Sequence, residues 1–186
     1  MLCLCDVTPK IDLRTKICLV IHHRELSRNS NTGLLALRAL ANGEVRVRGE
    51  GKETLNLRDL LTPQYRTFVF FPSADAVELD KALVTRDQTP IQLIVPDGTW
   101  RQASKINSRQ PELKTLFRVK ISAPNDLIYQ LRAQSRPEGM ATLQAIASAL
   151  GIIEGEEVRA RLMKLYRTKI ERAFMGRGII LRDNHH

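Results

Sequence analysis

Residues 91–103 read IQLIVPDGTWRQA. Ile91 to Val95 is apolar apart from Gln92 and lacks the polar alternation of a half-exposed strand, the pattern of a strand covered on both faces and paired in parallel. Pro96-Asp97-Gly98 interrupts it, and Asp97 with Gly98 favours a tight turn. Thr99 is placed to cap a helix that opens at Trp100, the one tryptophan of the chain. The stretch is therefore read as strand, turn and helix: one βα unit.

The same rhythm recurs on both sides. Ile17 to Ile21 and Thr67 to Phe71 are further strands of the buried type, and Val119 to Ile121 is a shorter fourth. Leu34 to Ala41, Ala76 to Leu83 and Trp100 to Ile106 have helical composition, each after a polar or glycine-containing turn. Strands alternating with helices predict an α/β fold, a mainly parallel sheet flanked by helices. Thr142 to Leu150 reads as an Ala- and Leu-rich buried helix ended by Gly151. From Glu156 to about Phe174, Val158, Leu162, Leu165, Tyr166, Ile170 and Phe174 fall at helical spacing, which predicts a basic C-terminal helix within 156–176. No repeat or linker divides the chain, so residues 1–186 read as one domain with an N-terminal segment over 1–16.

The formal charge is +9, from 29 Lys and Arg against 20 Asp and Glu. Such an excess favours polyanions, and nucleic acid leads the candidate partners. Its densest run is Arg159, Arg161, Lys164, Arg167, Lys169, Arg172 and Arg177, the expected RNA-contacting surface outside any pocket. No apolar run approaches the roughly 20 residues that cross a bilayer. The first residues lack the pattern of a secretory signal, so a reducing cytoplasm is expected, with Cys3, Cys5 and Cys18 as thiols. No pattern sets the oligomeric state; a monomer is favoured.

In an open parallel sheet, ligands bind beyond the carboxyl ends of the strands. His22-His23-Arg24-Glu25, Asn31-Thr32-Gly33, Pro72-Ser73 and Pro96 through Trp100 stand at such places. Each also has a purely structural reading, as a capped helix start, a strand end or a packed aromatic.

Asp97-Gly98-Thr99-Trp100-Arg101-Gln102-Ala103 resembles the signature segment of the DTW-domain family. Cys3-Leu4-Cys5, His22 through Glu25, Asn31-Thr32-Gly33, Phe71-Pro72-Ser73, Tyr129-Gln130-Leu131-Arg132 and Ala141 through Ala145 resemble other blocks of that family, in the same order. The resemblance implies a SPOUT-like fold with a C-terminal trefoil knot around an S-adenosylmethionine site. It implies an enzyme that moves the 3-amino-3-carboxypropyl arm of S-adenosylmethionine to a uridine of tRNA and releases methylthioadenosine. A SPOUT-type RNA methyltransferase and a non-catalytic RNA-binding module are the alternatives.

Under that resemblance, Asp97, Thr99 and Trp100 are the catalytic candidates, with Asp97 accepting or orienting the uridine proton. Pro72, Ser73, Asp97, Gly98, Arg132, Thr142 and Leu143 would line the cofactor site. Arg132 would grip a carboxylate or phosphate, and the amides at Thr142 and Leu143 would meet the cofactor. His22, Glu25, Asn31, Thr32 and Arg101 would face the RNA, with His22 and Glu25 able to bond each other. Pro96 and Gln144 depart from the family pattern, which commonly has an apolar residue and Glu there. Cys3 and Cys5 resemble part of a zinc site, but two thiolates cannot close four-coordinate zinc, so no metal is expected.

Overall fold

The computed structural model describes residues 3–49, 55–122 and 140–176. The strands are β1 (Lys16–His22), β2 (Gly43–Arg48), β3 (Arg66–Phe70), β4 (Val77–Glu78), β5 (Ile91–Asp97) and β6 (Arg118–Lys120). Among the described residues they form one sheet in the order β2-β1-β5-β3-β6-β4, with every pairing parallel. The helices are α1 (Gly33–Ala39), α2 (Lys81–Thr85), α3 (Trp100–Arg109), α4 (Thr142–Ile153) and α5 (Glu156–Met175). The expected parallel α/β architecture is present. The Tyr129–Arg132 block lies outside the described residues, and the described residues do not decide the trefoil knot.

Strand alternation divides the core. Ile17, Leu19 and Ile21 of β1, Phe68 and Phe70 of β3, and Ile91, Leu93 and Val95 of β5 face α1, α4 and α5. Cys18, Val20, Val69 and Ile94 face the other way, toward Ala103 and Ile106 of α3 and the loop residues Leu57 and Leu60. Both faces are thus covered, which is why the central strands carry so little polar alternation. Gln92 sits in the second layer, where its amide donates to Leu60 O (2.8 Å) and Thr67 Oγ1 (3.0 Å). Pairing of β3 with β5 stops at Val69–Ile94 while β1 pairs with β5 as far as Asp97, so Pro96 is bordered on one side only, the arrangement a residue without an amide proton requires.

Two sequence expectations are corrected. Residues 76–83 are not one helix: Val77 and Glu78 pair with Val119 and Lys120, and the helix begins only at Lys81, where the Asp80 carboxylate accepts from Leu83 N (2.8 Å). Gly151 does not end its helix, which runs on to Ile153 and turns at Gly155, whose φ of +117° suits glycine. Gly151 instead lies under α5, where an added Cβ would come within 3.0 Å of Arg159. The sheet also has a strand with no counterpart among the sequence expectations, β2, whose Val45 and Val47 alternate with Arg46 and Arg48 at the sheet edge, a pattern the apolar-run criterion passes over.

α5 is a packing helix first. Leu162, Met163, Leu165, Tyr166 and Ile170 are buried against the core, and burial raises the Tyr166 hydroxyl pKa. Its cations reach back to the N-terminal segment: Arg172 forks onto Asp6 (2.9 and 2.8 Å) and donates to Cys3 O, and Arg161 donates to Lys10 O (3.1 Å). Lys169 donates to Asn29 O (2.7 Å). Among the described residues, no helix is long and apolar enough to cross a membrane.

Cys18 is wholly buried in β1, and burial pushes its thiol up to about 12, while Cys3 and Cys5 are exposed with their sulfurs 2.9 Å apart. Maleimide at neutral pH is therefore expected to label the native protein twice and the unfolded protein three times, read by intact mass. Rapid native labelling of Cys18 would contradict this burial.

Candidate functional site

The chain leaves the carboxyl ends of β1 and β5 toward opposite faces of the sheet, into α1 on one and α3 on the other. Neighbouring strands that part in this way open a crevice between their ends, the usual ligand position in such sheets. Asp97, the last residue of β5, lies in it and is only 4% exposed.

Asp97 joins three segments. Its Oδ2 accepts from Asn31 Nδ2 (2.7 Å), just ahead of α1, and its Oδ1 accepts from Thr142 Oγ1 (2.5 Å), the first residue of α4. Asn31 Oδ1 in turn accepts from Leu34 N (2.9 Å) and caps α1, while Thr32 Oγ1 accepts from Leu143 N (3.3 Å) and satisfies an amide of α4. The Leu143 amide, expected to meet the cofactor, is thus held by Thr32. A threonine at a helix start can leave its amide free or cap the helix with its hydroxyl. The Thr142 hydroxyl does not cap; it donates to Asp97. Asn31 and Thr32 are buried inside this cluster rather than standing on an RNA-facing surface.

The turn after Asp97 carries the second half of the site. Gly98 has φ +145°, and Thr99 with Gln102 forms a reciprocal cap, Thr99 N donating to Gln102 Oε1 (2.7 Å) and Gln102 N to Thr99 Oγ1 (3.4 Å). The cap reading of Thr99 holds, and its hydroxyl is occupied by it. Trp100 is 36% exposed and stacks on Phe71 at the end of β3, with ring centroids 5.1 Å apart and planes 26° apart. It is a half-open aromatic wall, not a core residue. Pro72 is exposed beside it, and Ser73 Oγ donates to Asp75 Oδ1 (2.6 Å), which holds the Asp75 carboxyl below the usual carboxylate range.

The remaining candidates lie apart from that centre. At the end of β1, His22 Nδ1 accepts from Arg24 N (3.3 Å) and its ring packs on His23 (centroids 4.7 Å). Burial first, then the nearby His23 and Arg24, lowers the His22 pKa. Glu25 has 0% exposure and pairs with Arg28 (3.3 Å) rather than with His22. Arg101 is exposed on α3. Arg132 lies outside the described residues. Gln144, one of the two departures, is buried in the first turn of α4, and Pro96 is buried in β5. No group of three or more metal-ligating side chains occurs among the described residues.

The DTW domain model matches residues 1–174. The chain is 30% identical to tRNA-uridine aminocarboxypropyltransferase 2 of Drosophila melanogaster over 174 residues, 88% of this chain and 67% of that protein. The proteins of the same name from Macaca fascicularis and Mus musculus are 25% and 26% identical over 158 residues, 82% of this chain and 53% of theirs. The chain therefore spans about two thirds of the fly protein and about half of the other two. Among solved structures, the SAM-dependent rRNA:acp-transferase Tsr3 from Vulcanisaeta distributa has the same fold at a TM-score of 0.55 and 13% identity, covering 88% of this chain and 79% of that one. The strand-end blocks that meet at the β1/β5 crevice are those of one family, and this chain belongs to the DTW domain family.

Proposed function

We propose that the chain is an S-adenosylmethionine-dependent tRNA-uridine aminocarboxypropyltransferase of the cytoplasm, which places the 3-amino-3-carboxypropyl group on a uridine base and releases methylthioadenosine. The observation that carries this reading is the meeting of the strand-end blocks around Asp97, in a chain whose relatives bear that name. S-adenosylmethionine supplies an activated sulfur–carbon bond in its sulfonium. The residues present fit such a molecule. The half-exposed indole of Trp100, backed by Phe71, offers a π face to a cation, and the α4 start offers its positive dipole end to a carboxylate. Pro72 and Ser73 directly follow Phe71, the residue on which the indole rests.

Asp97 serves this site by position. Both of its oxygens already accept hydrogen bonds, so it fixes the starts of α1 and α4 relative to the DGTW turn. Aligning two reactants is the larger part of the work when the donor is already activated. Thr99 and Gly98 set the angle at which Trp100 enters the crevice.

Incubation with bulk tRNA and S-adenosylmethionine, followed by mass spectrometry of nucleosides and cofactor remnant, is the test. Aminocarboxypropyl-uridine with methylthioadenosine is the expected result. S-adenosylhomocysteine with a methylated nucleoside would overturn it in favour of methyl transfer. No product, together with no rise in melting temperature on adding S-adenosylmethionine, would reduce the chain to an RNA-binding module.

A further inference from the structure

The basic residues of α5 and those at the β1/β2 edge differ in their partners. On α5, Arg159, Arg161, Lys169 and Arg172 are engaged, by Glu156, Lys10 O, Asn29 O and Asp6 respectively. The last three hold the N-terminal segment and the loop before α1 onto the fold. At the carboxyl ends of β1 and β2, by contrast, the side chains of Arg24 and Arg48 have no hydrogen-bond or ion-pair partner among the described residues. The two sit close together. His22 and Arg48 are register partners on adjacent parallel strands, and Arg24 N donates to the His22 ring. The backbone at Gly49 passes so near that an added Cβ would lie 3.4 Å from His23 and 3.7 Å from His22 Nε2. Arg28, with its side chain half exposed, extends the patch past Glu25.

We infer that this edge, Arg24 and Arg48 around the tilted His22–His23 ring pair, is the phosphate-contacting surface that holds substrate RNA against the crevice. It lies at the same end of the sheet as Asp97, on the strand next to β5 and the one beyond, so a backbone held there runs past the site. Two uncommitted guanidiniums are suited to phosphate oxygens through paired donors. The half-buried imidazole rings beside them offer ring nitrogens and an aromatic surface to a nucleotide. Arg159, Arg161, Lys169 and Arg172 of α5, already bonded to protein oxygens, would have to break those bonds to bind RNA, which leaves Lys164 and Arg167 as the competing pair on that helix. This inference rests on the RNA-modifying reading above and names where the RNA lies.

The test is tRNA binding as a function of salt for wild type, Arg24→Ala/Arg48→Ala and Lys164→Ala/Arg167→Ala. The last pair is exposed on α5 and has no partner among the described residues. Each lost phosphate contact lowers the slope of log affinity against log salt by about 0.7–0.9. The β1/β2 double variant is expected to lose nearly two units of slope and about ten- to hundredfold in affinity at low salt, for any RNA sequence. Its melting temperature and its stabilisation by S-adenosylmethionine should stay as in wild type, and Arg24→Lys/Arg48→Lys should restore most of the slope. An unchanged slope in the β1/β2 variant, or a loss confined to the α5 variant, overturns the surface. If wild type forms product while the β1/β2 slope is unchanged, the surface alone is wrong. If RNA binds through this edge and no product forms, the reaction alone is wrong.

Discussion

Asp97→Ala is expected to lose about 2–5 kcal/mol of stability and all measurable transfer, while Asp97→Asn stays within about 1 kcal/mol of wild type. Alanine leaves Asn31 Nδ2 and Thr142 Oγ1 as buried donors without their acceptor, and each such orphan costs about 1–3 kcal/mol. Asparagine can keep both contacts. Its oxygen accepts from Asn31, and its amide donates to the Thr142 hydroxyl, which accepts as readily as it donates. The pair of variants therefore separates geometry from charge. If Asp97 acts by position, Asp97→Asn transfers within about tenfold of wild type, less than the 10²–10⁴-fold that a proton-transferring group contributes. Denaturant melts and nucleoside mass spectrometry on the same preparations provide both readouts. An Asp97→Asn protein that melts normally yet transfers a hundredfold more slowly would return the proton to Asp97.

What made Asp97 legible, and what hid its role, are separable. The run from Ile91 to Val95 announced a doubly covered strand because burial on both faces removes polar alternation, and the structure extends it only to Asp97. Thr99 announced the α3 cap because capping is local, decided within four residues. The contacts that build the site are not local. Asn31 reaches Asp97 across 66 positions, Thr142 reaches it across 45, and Leu143 reaches Thr32 across 111. No periodicity records such pairings; only resemblance to a family placed these blocks in one site. The same limit explains β2, where Val45 and Val47 face α1 and α4 while Arg46 pairs with Glu44 and Asp59. An edge strand of alternating valine and arginine carries a strand signal, but a weaker one than an unbroken apolar run. The basic stripe of α5 was legible as charge; its use in holding the N-terminal segment depends on partners more than 100 residues away in sequence.

The Gly98→Ala variant is expected to lose about 2–4 kcal/mol, more than Thr99→Ala, which should lose only the roughly 1 kcal/mol of a helix cap. At φ +145° an L side chain is strained, and its Cβ would lie 2.9 Å from Gln102 Oε1 and 3.0 Å from Gln102 Cβ. Gln102 Oε1 is the atom that accepts from Thr99 N, so relieving the clash opens the reciprocal cap from the side that Thr99→Ala leaves intact. Trp100 is the next residue after that cap and rests on Phe71. Opening the cap therefore moves the indole as well as weakening the helix. Because the chain has a single tryptophan, its emission reports on this position alone. Gly98→Ala should shift the emission to the red and weaken stabilisation by S-adenosylmethionine, whereas Thr99→Ala should leave both near wild type. Equal melting temperatures and equal spectra for the two variants would mean that the glycine turn does not hold Trp100 in place, and that the indole owes its position to Phe71 alone.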